Sequence, residues 1–316
     1  MTTQLTENIR KIAARLLSEK TVDAVIGFRE GSVPLMAEPV IIRDPKDAEG
    51  LVFDSFCGVN LANYLPGRKE RIGIAAKGCD SRNIVTHLVE NQAKRENLFI
   101  IGVPCTGMAD RRKVRKALGG DVSSAREEGD EIVAAGPAGE VRLAKKEVLQ
   151  DNCKTCTHRN PVISDEMAGE PVPEQEGVDR YADVRAVEAL ENEARWKHFE
   201  EIMSGCIRCY ACRNACPLCY CPTCFVDDSK PQWVGKSLDK TDTRTFHFLR
   251  AFHCAGRCTD CGACERACPV GIPVRQFTKK LLKDCEELYG WEAGVLPGVR
   301  PPLDVFKLDD PQDFIR

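Results

Sequence analysis

Residues 71–107 read RIGIAAKGCDSRNIVTHLVENQAKRENLFIIGVPCTG: a short apolar run, a helical stretch (SRNIVTHLVENQAKR) and a second apolar run. Upstream lie two more runs, DAVIGF at 23–28 and EPVIIRD at 38–44, and before them Leu5, Ile9, Ile12 and Leu16 recur at helical spacing. Apolar runs alternating with helices predict an α/β domain whose sheet is mostly parallel and covered by helices. That domain is expected over 1–168. Residues 169–179 (GEPVPEQEGVD) are acidic, rich in Pro and Gly and free of apolar periodicity, so a boundary falls there, with linker and helix over 169–205. Val184, Val187, Leu190, Ala194, Phe199 and Ile202 supply one apolar face to a helix from about 180 to 204. A further short helix, TFHFLRAFH, has Asp242 or Thr243 as its N-cap. A mainly helical domain is expected over 206–289 and an extended tail over 290–316, packed on its own protein or docked on another subunit.

The chain has 316 residues, enough for two domains, and 45 Lys and Arg against 48 Asp and Glu give a net charge of −3. Nothing in that balance suggests nucleic acid as a partner. No run approaches the length of a transmembrane segment and the N-terminus lacks a signal-peptide core, so a cytoplasmic protein is expected. The chain contains 18 cysteines. In a reducing cytoplasm such a number points to metal ligands rather than disulfides. Thirteen of the 18 fall between Cys206 and Cys285, whereas a disulfide scaffold would spread them.

Cys206, Cys209, Cys212 and Cys216-Pro217, and again Cys258, Cys261, Cys264 and Cys268-Pro269, follow the C-x2-C-x2-C-x3-C-P spacing of bacterial dicluster ferredoxins. Two residues between thiolates let one tight loop wrap three irons of a 4Fe-4S cubane, and the fourth cysteine usually reaches the neighbouring cluster. Cys206, Cys209, Cys212 and Cys268 then hold one cluster, and Cys258, Cys261, Cys264 and Cys216 the other. Zinc held by four cysteines fits the repeated seven-residue triplets less well. Two adjacent clusters carry single electrons and make no bonds by themselves, so no residue is assigned a catalytic role.

Cys219, Cys221, Cys224 and Cys254 flank these motifs and are candidates for an additional metal centre, cluster or zinc, or else buried thiols. Cys79, Cys105, Cys153 and Cys156 stand at expected strand ends and turns, where α/β folds gather ligands, and are candidates for a third cluster. No GxGxxG follows a strand and there is no GxxxxGK[ST]. The loop Lys77-Gly78-Cys79-Asp80-Ser81-Arg82 offers a helix N-terminus and two cations, as phosphate binding requires, or is an ordinary capped turn.

The pieces KGCDSR, IIGVPCTG and CKTC, with Asp165 and Gly169, resemble the β subunits of coenzyme F-420-reducing hydrogenases and F-420-dependent formate dehydrogenases. CIRCYACRNACPLCYC is similar to the ferredoxin segment of the formate dehydrogenase branch. The segment after Cys156 lacks that family's usual aromatic-acidic stretch. The resemblance implies an oxidoreductase subunit with FAD near Lys77, Gly78, Ser81 and Arg82. It would pass electrons between a two-electron carrier, F-420 or NAD(P)H-like, and a hydrogenase, formate dehydrogenase or heterodisulfide reductase-like partner. The alternative is a flavin-free iron-sulfur adaptor that only relays electrons and scaffolds a complex.

Overall fold

The computed structural model of the chain describes residues 2–305; the expected tail at 290–316 lies outside the described residues beyond Val305. Helix α1 (Thr2–Ser18) buries Leu5, Ile9, Ile12 and Leu16, the face expected from their spacing. The four apolar runs form β1 (Ala24–Arg29), β2 (Glu38–Ile42), β3 (Ile72–Ala76) and β4 (Leu98–Gly102). Helix α2 (Gly78–Val89) joins β3 to β4, which run parallel with Ile72 opposite Leu98. β1 lies parallel on the other side of β3, and β2 closes that edge antiparallel to β1. Every residue of β3 is buried, as a central strand covered on both faces must be.

Beyond β4, α3 (Arg111–Leu118) leads into a second sheet that the sequence reading missed. It is an antiparallel meander of β5 (Ser124–Glu128), β6 (Glu131–Gly136) and β7 (Gly139–Ala144). β5 carries charge rather than an apolar run and alternates in exposure, so it gave no strand signal of the buried kind. Helix α4 (Asp151–Lys154) follows, and β8 (Glu166–Met167) adds a short parallel strand beside β4. The sheet is therefore mixed, with parallel strands at its centre, in the order β2-β1-β3-β4-β8.

Residues 169–179 contain no helix or strand, yet they are tied down. Asn160 exchanges two hydrogen bonds with the Val172 backbone, and the Gln175 amide donates to the carbonyls of Cys153 (3.0 Å) and Cys156 (2.9 Å). The helical stretch from 180 to 204 is two helices, α5 (Ala182–Glu188) and α6 (Asn192–Ser204). Val184 packs with Tyr181 and Leu282, whereas Phe199 and Ile202 pack on a different apolar cluster around Phe246. One straight helix could not serve both. The cluster segment then carries α7 (Ala211–Asn214), α8 (Lys240–His253), α9 (Ala263–Ala267) and α10 (Arg275–Tyr289), with long loops between α7 and α8. Asp239 caps α8, accepting from Thr241 N–H at 2.7 Å, three residues before the expected Asp242.

Polar contacts lock the cluster segment against the α/β domain. Asn83 donates to Thr259 Oγ1 (2.8 Å), Arg266 to Gln150 Oε1 (2.6 Å), and Arg257 to Glu90 Oε2 (2.8 Å). Gly262 sits at φ +70, and a Cβ there would lie 2.4 Å from Asn152 Oδ1, so only glycine lets the second cysteine loop approach the Cys153 turn this closely. No helix among the described residues is long and apolar enough to cross a membrane.

Candidate metal centres

Parallel pairing of β3 and β4 sets their C-terminal ends side by side. Cys79 begins α2 just past β3, Cys105 follows β4, and Cys153 and Cys156 come from α4 and the turn after it. All four line one cavity of about 660 Å³, and Cys261 of the second ferredoxin motif lines the same cavity. Backbone N–H groups aim at two of the sulfurs: Gly107 donates to Cys105 Sγ and Met108 to Cys153 Sγ, each at 3.4 Å. Burial pushes the Cys153 thiol up to about 12 and Cys156 up to about 11, so without a cation these sulfurs hold their protons. A bound metal would displace them.

The Lys77–Arg82 loop beside this cavity is already satisfied by the chain itself. Lys77 is buried, 2.7 Å from Asp80, and donates to the Val59 carbonyl at 3.1 Å. Burial alone would lower its ammonium, but the Asp80 carboxylate and the Cys79 sulfur hold it up. Ser81 donates to the Gly78 carbonyl and accepts from Val162 N–H, and Arg82 donates to the Ala293 carbonyl beside Glu292. A Cβ on Gly78 would stand 2.0 Å from the His158 carbonyl, because residues 158–160 cover the helix N-terminus. Lys77, Ser81 and Arg82 thus spend their donors on the chain itself, leaving none free on this loop for the flavin implied by the resemblance, although Lys77, Gly78 and Arg82 also line the cysteine cavity.

The two ferredoxin motifs fold as copies of one loop. Arg208 and Tyr210 in the first, and Asp260 and Gly262 in the second, are left-handed, with φ of 48, 59, 58 and 70. Arg208 N–H donates to Cys206 Sγ and Asp260 N–H to Cys258 Sγ, each at 3.4 Å. Such turns point backbone donors and sulfurs inward, as cubane loops require. Burial raises the Cys206 and Cys212 thiols, with Cys268 and Cys209 adding to the rise at Cys206 and Cys264, Cys206 and Cys268 to that at Cys212. Cys261 and Cys264 both feel Cys216. The sulfurs of the two motifs thus lie close enough to influence one another.

Arg250 and His247 of α8 gave no sequence signal beyond lying on a short helix. Arg250 is 4% exposed and donates to the Cys212 carbonyl at 3.0 Å. Burial alone would weaken its charge, but Cys264, Cys216, Cys254 and Cys212, sulfurs from both groups, hold it protonated. It is a fixed cation between the two sets. His247 Nε2 lies 3.2 Å from Cys206 Sγ.

The four flanking cysteines do not come together. Cys219 and Cys254 converge on Cys216, the three sulfurs lying within 4.8 Å of one another, while Cys221 is exposed and Cys224 packs beside the first group's apolar cluster. Adjoining the Cys79 cavity, with which it shares Gln150 and Arg266, lies an open cleft bordered by Phe56, Arg111, Arg112, Arg266 and Ile272. Arg266 Nη2, buried between the two cavities, has no partner among the described residues.

Paired cysteine loops at ferredoxin spacing beside an α/β domain are the arrangement of an iron-sulfur electron-transfer protein. Residues 201–272 match the family model of the 4Fe-4S dicluster domain. Residues 9–50 match that of the coenzyme F420 hydrogenase/dehydrogenase β subunit, N-terminal region. The chain thus joins these two family regions, as its motifs led one to expect. It is 24% identical to the F420-dependent formate dehydrogenase subunit beta of Methanocaldococcus jannaschii, the alignment spanning 91% of each chain. It is 23% identical to the F420-dependent formate dehydrogenase 1 subunit beta of Methanococcus maripaludis, over 91% of this chain and 90% of that one. Among solved structures, a chain of the F420-reducing NiFe hydrogenase complex of Methanosarcina barkeri aligns at 14% identity with a TM-score of 0.37. That alignment covers 48% of this chain and 58% of the hydrogenase chain.

Proposed function

We propose that the chain is a three-cluster electron relay within an oxidoreductase assembly. The first 4Fe-4S cluster is held by Cys206, Cys209, Cys212 and Cys268, the second by Cys258, Cys261, Cys264 and Cys216, and a third by Cys79, Cys105, Cys153 and Cys156. The observation that carries this reading is Cys261, which belongs to the second set and lines the cavity of the third. Successive sets share a wall, so single electrons can pass along the row. Arg250 offsets negative charge that the ligand thiolates bring to the first and second clusters. The relatives' names and the matched β-subunit region support partners of the formate dehydrogenase or hydrogenase kind at the ends of the row; a heterodisulfide reductase-like acceptor is a further candidate.

The interdomain cleft favours a second reading, in which FAD binds there instead of on the Lys77–Arg82 loop. The cleft is lined by the aromatic Phe56 and the apolar Ile272 and carries three guanidinium groups at its border for phosphate. The chain would then also exchange a hydride with a two-electron carrier, F-420 or NAD(P)H-like, because the flavin supplies that chemistry. One anaerobic preparation tests both. The relay requires about twelve irons per chain for three cubanes. Flavin below stoichiometry after flavin reconstitution leaves the relay alone, whereas one flavin per chain, lost on Arg266→Ala, selects the second reading. About eight irons would remove the third cluster.

A further inference from the structure

Cys216 closes the first motif, Cys219 follows it by three residues, and Cys254 ends α8, where it serves as the C-cap. The fold brings these three sulfurs within 4.8 Å of one another, with Cys216 partly buried by its loop and Cys254 2% exposed. A metal bound by thiolates at about 2.3 Å in tetrahedral geometry sets its sulfurs about 3.8 Å apart. Sulfurs on one cubane stand farther apart, since each binds a different iron. The trio therefore has the span of a single ion. Cys221 and Cys224, which the sequence groups with Cys219 and Cys254, stay out of it.

We infer that Cys216, Cys219 and Cys254 form a three-thiolate site for one soft, thiophilic d10 ion, such as Zn2+ or Cu+, adjoining the second cubane. This goes beyond the relay, which uses Cys216 for iron alone. Cys216 would then hold both the ion and the second cluster, since a thiolate sulfur keeps lone pairs enough for two metals. Binding releases the protons of Cys219 and Cys254, and the two new thiolates bring negative charge that the adjacent Arg250 guanidinium offsets. Soft thiolates select such an ion over magnesium or calcium. An ion sharing the Cys216 sulfur would withdraw charge from a cluster held by that sulfur and favour its reduced state.

The test uses the full chain purified anaerobically, reconstituted with iron and sulfide and then offered Zn2+ or Cu+ in separate arms. The inference expects about one equivalent of one of these ions at unchanged iron content, with three sulfur scatterers at about 2.3 Å in its X-ray absorption. Cys254→Ser and Cys219→Ser each abolish that binding and leave iron in place, while Cys221→Ser and Cys224→Ser bind as the parent does. Failure to bind both Zn2+ and Cu+ overturns it. So does loss of about four irons in Cys254→Ser, which would make Cys254 a cubane ligand. Loss of the ion in Cys221→Ser or Cys224→Ser would restore the grouping read from the sequence. A parent chain that takes zinc but no iron would instead defeat the relay itself.

Discussion

In the cluster segment, three sulfurs of each set come from seven consecutive residues, Cys206 to Cys212 and Cys258 to Cys264. In the α/β cavity, Cys79, Cys105, Cys153 and Cys156 arrive from three separate connections, and nothing local ties them together. The first kind of site is written into a loop whose left-handed residues at matching positions repeat in both copies. The second exists only because β3 and β4 pair in parallel and end at one level. A local site therefore survives displacement of its surroundings, while an assembled one depends on the whole domain.

The largest effect expected is from Cys209→Ser. The thiol is exposed, so the chain should fold, but about four irons should be lost and electron exit through that end should fall to background. Full downstream activity would remove Cys209 from the ligand set. Cys156→Ala asks the same of the assembled site: about four irons should go while the paired-cluster EPR signal persists. An unchanged iron count would leave the α/β cysteines as packing residues and the contrast between the regions would collapse.

Arg250→Gln should keep the iron of the first and second clusters and move both midpoint potentials negative, since each reduction adds charge that the buried cation now offsets. Arg250→Lys should restore most of the shift. Movement of one potential only, in an EPR redox titration, would place Arg250 with one set rather than between them. Gly262→Ala probes where the two regions meet. Forcing a side chain into a left-handed residue costs about 1–2 kcal/mol, before the contact with Asn152 is counted. Chemical denaturation should read at least that loss; no change would mean the loop can move away from the Cys153 turn.

The smallest effect is expected from acid. Burial tends to raise the Glu292 carboxyl, but Arg82 and Arg180 hold it below its ordinary 4.5. Its folded value is thus the lower one, and its stabilising contribution is present above pH 4.5 and lost as the pH falls below that. Glu292→Gln should flatten this part of the stability profile by up to about 1 kcal/mol, given its partial exposure.

Sequence alone determined the four apolar strands, α1 with its buried face, and the eight cysteines at ferredoxin spacing, because each is a pattern that neighbouring residues carry by themselves. It also held the motifs of the F-420-type β subunits. The charged β5 meander escaped it, as did the break between α5 and α6, whose two halves answer to different apolar clusters. Tertiary structure decided three further things. It filled the Lys77–Arg82 loop with the chain's own carbonyls and carboxylates. It drew Cys254 and Cys219 to Cys216 and left Cys221 outside, and it set Arg250 between two groups of thiols. All three depend on residues far apart in the chain, whose meeting is fixed by strand pairing and helix packing rather than by spacing.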